Sequence, residues 1–98
     1  MPKHRHRKDD NTFEIIDYLN QIPGVTWKSV SQVDHFVDLV VGWMGINHLF
    51  ELKSAKGKLS KEQKRFHDIW SGQIHVIRTI EDVNKALGIK CKNTLEEL

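Results

Sequence analysis

The chain has 98 residues, with 39% apolar and 29% charged side chains and a formal net charge of +2. This is enough for one small domain with a single modest core and too short for two, and no apolar run approaches the ~20 residues of a membrane span. Cys91 is the only cysteine, which excludes an intrachain disulfide and a thiolate-based zinc site and fits a reducing, cytoplasmic compartment.

Residues 1–10 carry the basic run Lys3-His4-Arg5-His6-Arg7-Lys8 without an apolar segment behind it, so a flexible basic tail is expected rather than a secretory signal. Asn11 or Thr12 is placed to cap a helix running to about Gln21, with Phe13, Ile16, Tyr18 and Leu19 at helical spacing and Pro23-Gly24 ending it. Val25 to Val33 reads as extended, and a short loop follows around Asp34. Phe36 to Trp43 is an apolar strand interrupted by Asp38, Gly42 to Asn47 a hairpin turn, and His48 to Lys53 its partner strand. Period-two alternation puts Leu49, Glu51 and Lys53 on one face of that strand and Phe50 and Leu52 on the other. After the loop Lys56-Gly57-Lys58, Ser60 and Gln63 have the spacing of a capping box. The helix they open should reach Trp70, with Phe66, Ile69 and Trp70 toward the core. Gln73 to Arg78 is a short β-branched strand, and Thr79 caps a last helix over Glu81 to Leu87, closed by Gly88. Residues 89–98 form a polar tail. The order helix, three strands, helix, strand, helix predicts an α/β domain with a mixed β-sheet flanked by helices, and a βαβ crossover joining its last two strands.

Two anomalies carry chemistry. Asp38 sits in Phe36-Val37-Asp38-Leu39-Val40-Val41, where a carboxylate is costly unless paired or bound to a cation. A wet strand end that caps a turn explains it equally well. Glu51 and Lys53 share one strand face; an exposed edge strand with a surface ion pair is the ordinary explanation of that pattern. A hairpin that joins the two strands brings Asp38 and Glu51 together, and two adjacent carboxylates stay ionised only with a cation between them. Oxygen donors of this kind suit Mg²⁺ or Mn²⁺ rather than zinc. A lysine beside such an ion can position water and stabilise charge on an attacked phosphate. The cations Lys56, Lys58, Lys61, Lys64 and Arg65 follow directly. Lys56, Lys58 and Lys64, with Ser60 at the helix start, are candidate contacts to a phosphate backbone, whereas Lys61 reads as a solubilising residue. The six histidines show no metal-ligand spacing, and there is no glycine-rich nucleotide loop, hence no nucleotide cofactor.

Asp38 followed thirteen positions later by Glu51-Leu52-Lys53 resembles the Asp…Glu-x-Lys signature of the PD-(D/E)XK nuclease superfamily. The segments Val37-Asp38-Leu39-Val40-Val41-Gly42, Phe50-Glu51-Leu52-Lys53-Ser54, Gly57-Lys58-Leu59-Ser60-Lys61-Glu62-Gln63 and Val76-Ile77-Arg78 resemble its virus-type replication-repair (VRR-NUC) branch, in the small stand-alone form of phages and bacteria. The resemblance covers residues 11–88 and implies a restriction-endonuclease-like core. It implies metal ligation by Asp38, Glu51 and the Leu52 carbonyl, with Glu14 as a further acidic ligand, and a catalytic Lys53 supported by Gln63. The expected activity is Mg²⁺- or Mn²⁺-dependent hydrolysis of DNA by a structure-specific endonuclease that acts on branched substrates (Holliday junction or flap) as a homodimer in a bacterial or phage-infected cell. The alternative is an inactive DNA-binding module of the same fold. The family commonly has Gly and Pro before the Asp, where this chain has Phe36-Val37.

Overall fold

The computed structural model describes residues 11–89; the expectations for the basic tail at 1–10, for Cys91 and for residues 90–98 lie outside them. The elements are α1 (Thr12–Gln21), β1 (Thr26–Ser29), β2 (Leu39–Trp43), β3 (Ile46–Leu52), α2 (Lys61–Ile69), β4 (Ile74–Ile77) and α3 (Ile80–Leu87). The four strands form one mixed sheet in the order β1-β2-β3-β4. β1, β2 and β3 are an antiparallel meander, and β4 lies parallel to β3 after the α2 crossover, so the expected βαβ unit is present. Among the described residues no helix is long and apolar enough to cross a membrane.

The core is built by period-two alternation meeting helical period. Leu39 and Val41 of β2, Phe50 and Leu52 of β3 and Ile77 of β4 form one buried cluster with Ile15 and Leu19 of α1 and Val83 and Leu87 of α3. Each helix contributes a pair four residues apart, one stripe toward the sheet. The Tyr18 hydroxyl donates to Asn84 Oδ1 at 2.6 Å and locks α1 to α3. Thr79 opens α3 with a complete capping box to Asp82, and Gly88 closes it in the left-handed conformation at φ 81°. Ile89 packs against the cluster.

Three local expectations are corrected. Asn11 makes no side-chain cap on α1; its amide instead donates to the carbonyls of Lys53 at 2.7 Å and Arg78 at 3.2 Å, bridging the ends of β3 and β4. The hairpin is a two-residue turn, not a six-residue one: Met44 at φ 54° and Gly45 at φ 81° connect the paired Trp43 and Ile46, the type I′ geometry that follows strand twist. And α2 buries no residue at all. Ile69 is 70% exposed and Trp70 39%, because α1 and α3 already fill the apolar face of the sheet while α2 lies over the face that carries Glu51.

A histidine pair sits in this framework. His48, only 5% exposed, places Nδ1 3.2 Å from Nε2 of His75, and both rings pack against Phe50, His48 tilted at 56° and His75 edge-on at 89°. Burial lowers the pKa of His48 below 6.5; burial first, then the neighbouring His48 and His67, lower that of His75. The folded state therefore binds fewer protons than the unfolded state just below pH 6.5, so stability is full above the unfolded value and is lost as pH falls through it. The melting temperature is expected to drop between about pH 7.5 and about pH 5.5, and a His75→Gln variant to show a flatter profile over that window.

Candidate active site

The sheet register delivers the two carboxylates to one place. Leu39 pairs with Phe50, yet the backbone N–H of Asp38 also bonds to the Phe50 carbonyl, at 3.1 Å. Asp38, just before β2, and Leu39, its first residue, thus both face Phe50 of β3, the count of a β-bulge, a device that re-aims a side chain at a strand end. Asp38 Oδ2 then accepts the backbone N–H of Leu52 at 2.8 Å, taking the place of a ladder carbonyl. In an extended strand the N–H and C=O of one residue point to the same flank, so the Leu52 carbonyl faces the side of β3 on which Asp38 lies.

Glu51 lies on β3 opposite in parity to the core residues Phe50 and Leu52, and is 4% exposed. Gln63 Nε2 donates to Glu51 Oε2 at 3.1 Å. The same side chain accepts the Ser60 N–H through Oε1 at 2.9 Å, while Ser60 Oγ accepts the Gln63 N–H at 3.1 Å. The capping box that starts α2 is therefore also the clamp on Glu51. Gln63→Leu removes both bonds of the amide and is expected to cost about 1–2 kcal/mol of stability, the scale of a lost helix cap, which thermal melts read.

Asp38, Glu51, Gln63 and Ser60 line one cleft of about 580 Å³. Opposite α2 its wall is the loop that carries Asp34, His35 and Phe36, in which His35 adopts a left-handed backbone at φ 59°. Arg65 also lines it. Sequence reasoning counted Arg65 only as part of a cationic run and took Asp34 as a loop residue; Arg65 follows Gln63 by two positions on a helix, a placement that becomes informative only once the helix is docked.

Lys53 and Glu14 are not among the cleft-lining residues. Lys53 follows Glu51 by two positions, so the two share a strand face; it is half-buried and continues the ladder through its N–H to the Ile77 carbonyl at 3.0 Å. Its ammonium helps lower the pKa of His67, after burial as the main cause and against the raising effect of Asp68, which locates it beside α2. Glu14 is exposed on α1, one turn from Asn11. Lys56, Lys58 and Lys64 are exposed. The loop bearing Lys56 is held by Arg78, whose Nη1 donates to the carbonyls of Ser54 at 2.8 Å and Gly57 at 2.5 Å. The Ser60 hydroxyl accepts the Gln63 N–H in the capping box, which uses a lone pair and not its O–H proton.

Among the described residues no group of three Asp, Glu, His or Cys side chains is placed to hold a metal ion. Two carboxylates, Asp38 and Glu51, do line one cleft, and carboxylate oxygens are the donors Mg²⁺ takes in small number while it retains several waters. Comparison with protein-family models, with curated proteins and with solved structures gives no match for this chain.

Proposed function

We propose that this chain is a metal-dependent deoxyribonuclease of the PD-(D/E)XK superfamily, of the VRR-NUC type. The observation that carries the reading is the meeting of Asp38 and Glu51 in one cleft across β2 and β3, with Lys53 next on the same strand face. A mixed sheet with an antiparallel meander and a parallel fourth strand reached through a helix is compatible with the restriction-endonuclease-like core.

Asp38, Glu51 and the Leu52 carbonyl would hold Mg²⁺ or Mn²⁺, which supplies Lewis acidity toward the phosphate and a bound water of lowered pKa. The chain itself does the positioning. The Leu52 N–H fixes Asp38, and Gln63 fixes Glu51, so neither carboxylate reorganises when charge develops. Lys53 stabilises the negative charge that builds up as a water oxygen bonds to the phosphorus; the P–O3′ bond breaks, the 3′-oxygen leaves and takes a proton from solvent, and a 5′-phosphate end remains. Arg65 together with Lys56, Lys58 and Lys64 holds the DNA backbone, which makes affinity fall steeply with salt. A homodimer presents two such centres to a branched substrate, and a cytoplasmic setting suits the chain.

The absence of Lys53 and Glu14 from the cleft lining favours a second reading, a DNA-binding module of this fold without catalysis. Labelled duplex, single-stranded, flap and four-way-junction DNAs incubated with Mg²⁺, Mn²⁺ or EDTA separate the two. Cutting with either metal and none in EDTA is the expected result, with sedimentation reporting the dimer. Salt-sensitive binding without cutting under either metal selects the binding module.

A further inference from the structure

The cleft holds more than the carboxylates need. Phe36 lies two residues before Asp38, and Phe66 lies three residues after Gln63, on the same flank of α2. Both line the cleft, together with Ile69. Their rings meet edge to face, with centroids 5.9 Å apart and planes at 80°, and Trp70 backs them at 6.1 Å from Phe36 and 5.3 Å from Phe66. These aromatics are not core. The helix that carries Phe66 has no buried residue, and Ile69 is 70% exposed. A volume of about 580 Å³ is in the range of pockets that enclose a whole organic group. The cleft lining itself carries Asp34, Asp38, Glu51 and Glu62 against Arg65, so an anionic backbone is matched not by the lining but by the exposed cations of the segment that flanks it, Lys56, Lys58, Lys61 and Lys64, and a base is matched by the rings.

We propose that Phe36 and Phe66 form a stacking subsite for an unpaired nucleobase beside the cut phosphate, so that the substrate class is DNA with an unpaired strand at the cleavage point. A base in a duplex has both faces covered by its neighbours and gains nothing from the wall. An unpaired base offers a free π-face, and every base has one, so the preference is for strand state and not for sequence. The proposal rests on the nuclease reading for the position of the phosphate.

The test uses the full chain in EDTA and compares binding of labelled oligothymidylate with binding of an abasic strand of equal length and charge. Wild type is expected to bind the base-bearing strand roughly 5- to 150-fold more tightly, the effect of stacking one base, and Phe66→Leu, which keeps an apolar side chain but no ring, to lose most of that difference. Equal affinity of wild type for the two strands overturns the proposal, and needs no variant. A wild-type dimer that Phe66→Leu dissociates overturns it as well, by giving the wall to a second copy of the chain. Cutting of the base-bearing strand on adding Mg²⁺ is scored separately. A base preference without cutting keeps the stacking subsite and removes the nuclease reading; cutting of duplex and unpaired DNA at one rate, with no base preference, does the reverse.

Discussion

On the proposed function, Glu51→Gln is expected to lower metal-dependent cleavage by roughly 10³-fold or more, because a carboxylate that would hold the cation is replaced by a neutral amide. The substitution is nearly isosteric, and an amide can still meet the Gln63 side chain. The fold should therefore survive, and stability supplies the second half of the result. Glu51 is 4% exposed, and Gln63 donates to it. In saturating Mg²⁺ wild type should gain melting temperature over EDTA and the variant should not, since only wild type gains binding free energy from the ion. Paired melts with and without Mg²⁺, beside a cleavage assay, check both statements. A variant that cuts as fast as wild type means that Glu51 holds no essential ion.

Phe50→Ala is the largest stability change expected. Phe50 is completely buried at the centre of β3, in the cluster that α1 and α3 close. Truncating such a ring costs about 3–5 kcal/mol, a large part of the ~5–15 kcal/mol that a domain has in total. The melting temperature should fall by at least ~12 °C. Activity should fall as well, and at temperatures where the variant is still folded, because the Phe50 carbonyl accepts the Asp38 N–H that defines the bulge. Phe50→Leu retains much of the volume and should keep both properties far better. Equal losses of stability in the two variants would mean that the ring is not packed as described.

How much of this was legible in the chain depends on whether a signal was local. The α3 helix was legible at both ends, since Thr79 and Gly88 are local signals that nothing distant overrides. The capping box at Ser60 and Gln63 was equally plain. The length of the hairpin was not: Met44 in a left-handed backbone is disfavoured by its own side chain, and only the pairing of Trp43 with Ile46 imposes it. The role of Asn11 was hidden for a similar reason. Its amide bridges Lys53 and Arg78, residues 42 and 67 positions away, and a helix cap was the only local use on offer. The aromatic positions of α2 have the spacing of a core stripe, and periodicity does not reveal that another pair of helices has already filled the apolar face. In the site, Asp38 and Glu51 stood out as carboxylates inside strands. The bulge that aims Asp38, and the inclusion of Arg65 and His35 in the cleft, depend on register and docking, which single-sequence patterns do not carry.

The thin seating of α2 has a dynamic consequence. A helix that buries no residue opens locally at a small fraction of the global free energy, so its backbone amides should exchange with solvent far sooner than those of α1 or α3. Gln63 ties it to the sheet through a single carboxylate. Anything that fastens that carboxylate or fills the cleft is then coupled to the ordering of residues 61–69. In hydrogen–deuterium exchange, Mg²⁺ and DNA should each slow the α2 amides while leaving α3 unchanged, and the two ligands should bind cooperatively because the first has already settled the helix for the second.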